Sequence, residues 1–279
     1  MVMLGKNLAT SMNARIIGSG SEAIVLAHGF GGDQSVWDKI LPVLAQNHSV
    51  LVFDWTFSGA VKDNETLFDP VKYSSYNAFA DDLIDLMDEM EVKSSIFVGH
   101  SMSAMIGCIA STKRPELFKR LILVGASPRY INTDDYEGGF KRSEVDEIIS
   151  NIELNYETWA SAFAPLAVGA SDTASVDKFQ KCLKRMRPEI ALSLAKTVFY
   201  SEEREVLDKV VTPCTIIQTS NDIVVPNGVA FYMQNKIKGK STVEILDNTN
   251  GHFPQLTAHL QLLDVLKGIL GLDDHLSQT

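Results

Sequence analysis

Short apolar runs alternate with amphipathic helical patterns along most of the chain. Near-continuous apolar and β-branched runs predict buried strands of a parallel sheet that is covered on both faces. The predicted strands are Ala23–Ala27, Ser49–Phe53, Ser95–Val98, Leu121–Val124, Cys214–Gln218 and Thr242–Leu246. Strand–helix alternation predicts an α/β fold, in which the carboxyl ends of the parallel strands, and any site, share one edge of the sheet.

Helical patterns fill the spaces between the strands. One predicted helix has Phe79, Leu83, Met87 and Met90 on a single face, and a C-terminal one has Leu256, Leu260, Leu263 and Leu270. Between about Tyr130 and Ser201 the strand pattern stops, and helical patterns follow one another. Examples are the spaced residues Val145, Ile148, Ile149 and Ile152, and Pro188 at a first helical position. We therefore predict a first core part at 1–129, a helical insertion at 130–201 that caps the sheet edge, and a second core part at 202–279.

Composition narrows the function classes. The chain has 279 residues, 45% of them hydrophobic, and a formal net charge of −10. No basic run could follow a phosphate backbone, so we expect no nucleic-acid partner. No metal-binding motif occurs, and Cys108, Cys182 and Cys214 are too few and too widely spaced for a disulfide framework. The apolar N-terminal run is too short for a signal peptide, so we expect a protein of the cytoplasm, the nucleus or both, with no membrane segment.

Gly99-His100-Ser101-Met102-Ser103 follows the predicted strand Ser95–Val98 and precedes a helical pattern. A strand, a sharp turn and a helix form the context of a nucleophile elbow, in which a serine is exposed at the strand end. The usual elbow has glycine in the last position, whereas this chain has Ser103. Ser101 is the predicted nucleophile, and the side chain of His100 is expected to pack beneath the elbow.

A serine nucleophile needs a histidine base that is oriented by an acid. Asp222 follows the strand Cys214–Gln218, and His252 follows the strand Thr242–Leu246, which gives the order serine, acid, histidine. We predict these three residues as a catalytic triad. The other histidines, His48, His259 and His275, are expected to face solvent.

Acyl transfer also needs donors for the developing oxyanion. The segment His28-Gly29-Phe30-Gly31-Gly32 follows the strand Ala23–Ala27. We predict the backbone N–H groups of Phe30 and Met102 as these donors. The segment lacks the spacing of a dinucleotide-binding motif, so no cofactor is expected.

Four stretches of this chain resemble the plant α/β-hydrolase family of strigolactone and karrikin receptors: HGFGGDQSVW (28–37), VGHSMSAMIGCIAS (98–111), ASPRYINTDDYEGGF (126–140) and GHFPQL (251–256). In that family the elbow also ends in serine, which agrees with Ser103. FDWTFSGAVKD (53–63) and KIKGKSTVEI (236–245) look most like a side branch, the dwarf-fourteen-like-two paralogues. FDWTFSG departs from the receptor pattern.

The resemblance implies an α/β-hydrolase core with a V-shaped lid of four helices above a hydrophobic pocket. It also implies slow hydrolysis of butenolide ligands by Ser101, His252 and Asp222, and a role as a hormone receptor or a receptor paralogue. The family's pocket positions fall on Phe30, Met102, Phe140, Trp159, Phe163 and Phe199. By resemblance the partners are an F-box component of a ubiquitin ligase and a repressor protein. We expect a monomer.

Two other functions remain open at this point. One is an ordinary hydrolase of small esters without a signalling partner. The other is a non-catalytic binding protein that retains the triad as a relic, although an intact triad of Ser101, Asp222 and His252 argues against it.

Overall fold

The computed structural model describes residues 7–272. Its strands are β1 (Arg15–Ile17), β2 (Ala23–Ala27), β3 (Ser49–Val52), β4 (Ser95–His100), β5 (Phe118–Val124), β6 (Cys214–Asn221) and β7 (Ser241–Asn250). Its α-helices are α1 (Leu8–Ser11), α2 (Leu41–Leu44), α3 (Asn64–Leu67), α4 (Tyr76–Glu89), α5 (Met102–Lys113), α6 (Arg142–Leu154), α7 (Tyr156–Val168), α8 (Thr173–Arg185), α9 (Pro188–Phe199), α10 (Asn227–Lys236), α11 (Pro254–Thr257) and α12 (His259–Leu270). Short 3-10 helices cover Gln34–Trp37, Pro115–Leu117 and Arg204–Lys209. Of the predicted core parts, residues 1–6 and 273–279 lie outside the described residues.

The strands form one sheet in the order β1-β3-β2-β4-β5-β6-β7. β1 pairs antiparallel with β3, and every other neighbouring pair is parallel. From β2 the chain steps to β3 on one side and then crosses to β4 on the other, so right-handed crossovers place helices on both faces. The reversal falls between β2 and β4, and in open α/β sheets ligands bind beside such a reversal, at the carboxyl ends of the strands.

The predicted α/β fold is confirmed, and all six predicted strands are present. β4 lies inside the sheet, and all six of its residues are buried. That burial explains the apolar run Ile96–Val98 at its centre. The edge strand β1 was not predicted, since its three residues are exposed or half-buried and carry no strand signal.

Four helices, α6 to α9, lie between β5 and β6 and form the helical insertion, here called the lid. The predicted face of α6 is buried at Val145, Ile149 and Ile152. α6 packs against α9, and α7 packs against α8. α8 is tied to the core by an ion pair between Arg185 and the buried Asp33, and by Lys178 and Asp38 at 2.6 Å.

The C-terminal helical pattern is divided into two helices. Leu256 belongs to α11, and the chain breaks at Ala258 (φ −132°) before α12 begins. Because the break rotates the following helix, Leu260 is 66% exposed, and α12 instead buries Leu262, Leu263 and Leu266. The predicted face was therefore wrong at Leu260. Within residues 7–272, no helix is both long enough and apolar enough to cross a bilayer.

Candidate active site

Ser101 lies between the end of β4 and the start of α5, in the sharp turn that the sequence predicts. Its backbone has φ 57° and ψ −123°, a conformation that non-glycine residues rarely adopt. Such strain costs on the order of 1–3 kcal/mol and persists where the surroundings enforce it. The Ser101 N–H donates to the carbonyl of Val124 on β5 at 2.8 Å, which holds the strained turn against the neighbouring strand.

The structure brings Ser101, His252 and Asp222 together from the carboxyl ends of β4, β7 and β6. His252 Nε2 is 2.8 Å from Ser101 Oγ, and His252 Nδ1 is 2.7 Å from Asp222 Oδ2. An ionised carboxylate only accepts hydrogen bonds, so Nδ1 carries the proton and Nε2 accepts from the serine hydroxyl. This is the protonation that a general base opposite a serine nucleophile requires.

Asp222 is oriented by four donors. Its Oδ2 accepts from His252 and from Gln218 Nε2 (2.9 Å), and its Oδ1 accepts from the backbone N–H groups of Val224 (2.8 Å) and Val225 (3.1 Å). Burial alone would raise the pKa of the Asp222 carboxyl, but His252 and the two backbone donors outweigh it and lower this pKa. The acid is therefore ionised at neutral pH.

The backbone of His252 is held by the lid and by the elbow. Its N–H donates to the carbonyl of Ala167 in α7 at 2.6 Å, and its carbonyl accepts from His100 Nε2 at 2.7 Å. Gly251 (φ 83°) allows this close approach, because a Cβ there would stand 2.1 Å from the carbonyl oxygen of Val168. Residues of the lid thus hold the base directly.

His100 packs beneath the elbow as predicted, with its ring 4.9 Å from that of His252 and 4.6 Å from that of Phe253. Burial, followed by the nearby His252, lowers the pKa of His100 to about 3, so its imidazole is neutral. Two of the other histidines differ from expectation. His48 is buried beside the carbonyl of Leu44 because it closes the turn after α2, and His259 is half-buried. His275 lies outside the described residues.

Both residues predicted to supply oxyanion donors lie next to the nucleophile elbow. Met102 is the first residue of α5, so the helix leaves its N–H without an intrahelical acceptor. Phe30 follows Gly29, whose Cα lies so close to the elbow that an added Cβ would stand 2.9 Å from Ser101 Cβ. The loop 28–32 therefore lies directly against the nucleophile.

A narrow cavity lies above Ser101 and beneath the lid. Its volume is about 20 Å³, roughly the space of one water molecule. Its wall consists of Phe30, His100, Ser101, Tyr130, Phe163, Phe179, Val198, Phe199, Val224, His252 and Phe253. The hydroxyl of Tyr130 lies 3.5 Å from Ser101 Oγ, so one polar group besides the triad faces the nucleophile.

Three of the six expected pocket residues line this cavity: Phe30, Phe163 and Phe199. The other three, Met102, Phe140 and Trp159, are not among the residues that line it, and their place in a ligand pocket stays a prediction. Trp159 stacks on Phe163 at 4.7 Å and meets Phe30 edge-on at 6.2 Å, Phe140 packs on Phe199 at 6.1 Å, and Met102 is wholly buried at the start of α5.

Sequence reasoning missed Tyr130, Phe179 and Phe253 as wall residues. Phe179 carried only the signal of a buried helix face, and the other two lay inside the motifs SPRY and GHFPQL. Helix packing decides which side of a buried aromatic ring faces a cavity, and periodicity does not specify it. Within the described residues, no group of three or more histidine, cysteine, aspartate or glutamate side chains could hold a metal ion.

The sheet, elbow and ordered serine, aspartate and histidine define the class of protein. A family model described as the alpha/beta hydrolase fold matches residues 22–171, more than half of the chain, and the chain belongs to this family. Among solved structures, a hydrolase from Oleispira antarctica is similar with a TM-score of 0.90 and 30% identity, over 96% of this chain and 97% of that one.

Within that family, the chain belongs to the plant group of strigolactone esterases and karrikin receptors. It is 46% identical to strigolactone esterase D14 of Arabidopsis thaliana, over 95% of this chain and 98% of that protein. It is 43% identical to karrikin insensitive 2 receptor IA of Petunia hybrida, over 91% of this chain and 92% of that protein. The resemblance to strigolactone and karrikin receptors is therefore confirmed. Membership of the dwarf-fourteen-like-two side branch stays a prediction.

Proposed function

We propose that this protein is a serine hydrolase that cleaves butenolide ligands slowly and acts as their receptor or as a receptor paralogue. The observation that carries the proposal is the hydrogen-bonded chain from Ser101 through His252 to Asp222 beneath an aromatic cavity. Relatives named as strigolactone esterase and karrikin receptor support the choice of a butenolide substrate.

The first half-reaction starts at Ser101. Its Oγ attacks the butenolide carbonyl carbon while His252 Nε2 accepts the hydroxyl proton, and Asp222 stabilises the imidazolium that forms. The N–H groups of Phe30 and Met102 donate to the oxyanion. Collapse of the intermediate breaks the bond from the acyl carbon to the ester or ring oxygen, which takes the proton from His252. Water then releases the acyl group from Ser101 by the same steps.

Single-turnover hydrolysis of a fluorogenic butenolide, followed by fluorescence and intact mass, tests the proposal. Ser101→Ala removes the nucleophile and should abolish turnover. Ser111→Ala is a matched control, because Ser111 is a buried serine at the far end of α5 whose hydroxyl donates to the carbonyl of Cys108 at 2.7 Å. Turnover by Ser101→Ala at the wild-type rate would refute the assignment.

The small volume of the cavity favours a second candidate, a hydrolase of small esters. A site with room for about one water admits a compact acyl group more readily than a large ligand. Slow release with an acyl adduct on the wild type would favour the receptor function. Rapid turnover of short esters without an adduct, well above about 10 s⁻¹, would favour the esterase.

We further propose partners and a location. An F-box component of a ubiquitin ligase and a repressor protein would bind the liganded monomer in the cytoplasm or nucleus. Relatives named as receptors support receptor-type partners. Pull-down of these two partner classes with and without a butenolide tests the proposal. Equal capture by the wild type and by Ser101→Ala, with and without ligand, would contradict ligand-dependent signalling.

A further inference from the structure

Trp55 lies three residues beyond β3, in the FDWTFSG segment that departs from the receptor pattern. Its indole ring is wholly buried and meets the rings of Phe53 (4.9 Å) and Phe79 (5.5 Å) edge-on. Neither the triad nor the cavity wall includes it. Its backbone N–H and its indole N–H both contact His28, in the loop that carries Phe30, and the indole N–H also contacts Ser103.

Trp55 binds His28 at two separate points. Its backbone N–H donates to His28 Nε2 at 3.1 Å, and its indole Nε1–H points between the carbonyl oxygen of His28 (3.1 Å) and Ser103 Oγ (2.9 Å). The hydroxyl of Ser103 donates to the same His28 carbonyl. Ser103 belongs to the nucleophile elbow, so this triangle of contacts joins the elbow to the loop 28–32.

The ring of His28 fixes the peptide bond between Gly29 and Phe30. Because Nε2 accepts from Trp55, the proton of the neutral ring is on Nδ1, which donates to the carbonyl of Gly29 at 3.0 Å. That carbonyl belongs to the peptide bond whose N–H is that of Phe30. The bond is planar and trans, so holding the oxygen on one side directs the Phe30 N–H to the other side.

We infer that Trp55 is a positioning residue of the oxyanion hole: through His28 and Ser103 it sets the orientation in which the Phe30 N–H meets the developing oxyanion. The inference rests on the proposed hydrolysis, and it adds Trp55 to the residues that this hydrolysis requires. It explains why an elbow with Ser103 in the last position is useful here, since glycine would supply no hydroxyl to the His28 carbonyl.

Trp55→Phe removes the indole N–H that contacts the His28 carbonyl and Ser103, and it keeps an aromatic ring among Phe53 and Phe79. The backbone N–H that sets the tautomer of His28 stays, so the variant tests the indole contacts alone. Oxyanion donors act on the transition state, and loss of one costs about 10²–10³ in kcat. A donor that is misaligned but present should cost less, so we expect kcat to fall roughly tenfold while KM stays within about twofold. Trp37→Phe is the matched control, because Trp37 is equally buried and its Nε1 has no hydrogen-bond partner among the described residues. It should keep the wild-type kcat.

A second replacement guards against poor folding of Trp55→Phe. Benzothienylalanine at position 55 has sulfur in place of the N–H and the same ring shape, so it removes the donor without opening a void. It should reproduce the fall in kcat at an unchanged melting temperature. Ser103→Ala should lower kcat as well, and the double variant should lose less than the product of the two single losses, since both side chains act through the His28 carbonyl.

Failure of the proposed hydrolysis and failure of the role of Trp55 can be distinguished. Labelling of the wild type by a fluorophosphonate probe reports whether Ser101 reacts at all, and no labelling at Ser101 would overturn the proposed function and this role with it. Normal labelling of the wild type, with the benzothienylalanine protein at the wild-type kcat, would overturn the role of Trp55 alone. A rise in KM at constant kcat would overturn it too, because it would place Trp55 in ligand binding.

Discussion

Asp222→Asn tests whether the acid sets the tautomer of the base. The carboxylate accepts on both oxygens: Oδ1 from the N–H groups of Val224 and Val225, and Oδ2 from His252 and Gln218. An asparagine must place its single oxygen on one side. The two backbone donors cannot turn away, so the amide oxygen should take the Oδ1 position and the NH₂ group should face His252.

An NH₂ group at that position donates a hydrogen bond, so His252 Nδ1 must accept it. The ring proton then moves to Nε2, which faces Ser101 and can no longer accept the serine proton. In a serine protease the same change lowers kcat about 10⁴-fold with the geometry intact. We expect a loss of about 10⁴ in kcat here, equivalent to about 5.5 kcal/mol.

Single-turnover rates with the fluorogenic butenolide measure this loss, and the melting temperature shows whether the fold is kept. Asp177→Asn is the control, since Asp177 is an exposed aspartate that pairs with Lys181 at 2.7 Å. A loss smaller than tenfold in a folded Asp222→Asn protein would refute tautomer control by Asp222.

Two more changes test the lid side of the site and the segment that joins the lid to β6. Phe163 is half-buried, lines the cavity and stacks on Trp159. Phe163→Ala should therefore widen the cavity and raise kcat/KM for a bulky butenolide, relative to that for a short ester, by roughly tenfold. An unchanged ratio of the two kcat/KM values would contradict this. Burial, and to a smaller extent Glu202, raises the pKa of Glu203 from 4.5 to about 7. The stability that protonated Glu203 contributes to the fold is therefore complete below pH 4.5 and is lost as the pH rises to about 7. Glu203→Gln should therefore increase the free energy of unfolding at pH 8 by about 1–2 kcal/mol, after allowance for solvent screening, and leave it unchanged at pH 4. Chemical denaturation at both pH values measures this difference. An equal effect of the substitution at pH 4 and pH 8 would disprove the reasoning.

The sequence predicts those parts of the fold that burial alone decides. β4 and β5 contain the buried apolar runs Ile96–Val98 and Leu121–Val124 because helices cover both faces of the sheet, and such runs are visible in the chain. β1 is held by pairing with β3 at an exposed edge, and pairing leaves no hydrophobic pattern in three residues. The break at Ala258, which exposes Leu260, also leaves no signal in the hydrophobic periodicity.

The triad could be placed from the sequence because parallel strands bring their carboxyl ends to one edge. The positions after β4, β6 and β7 therefore converge without knowledge of any side chain. The cavity wall depends on how α7, α8 and α9 turn toward the core, which periodicity does not specify. Of the expected pocket residues, Phe30, Phe163 and Phe199 line the cavity. The contacts of Trp55 with His28 and Ser103 join three segments distant in sequence, and only the structure reveals them.

The hydrogen bond from the His252 N–H to the Ala167 carbonyl has a consequence for how a ligand enters. The space above Ser101 holds about one water, so any larger ligand must displace part of the wall that α7, α8 and α9 supply. Movement of α7 pulls on the peptide that carries the imidazole, since Ala167 and His252 are 2.6 Å apart at this bond. Entry of a ligand beneath the lid and orientation of the base for proton transfer then depend on the same hydrogen bond.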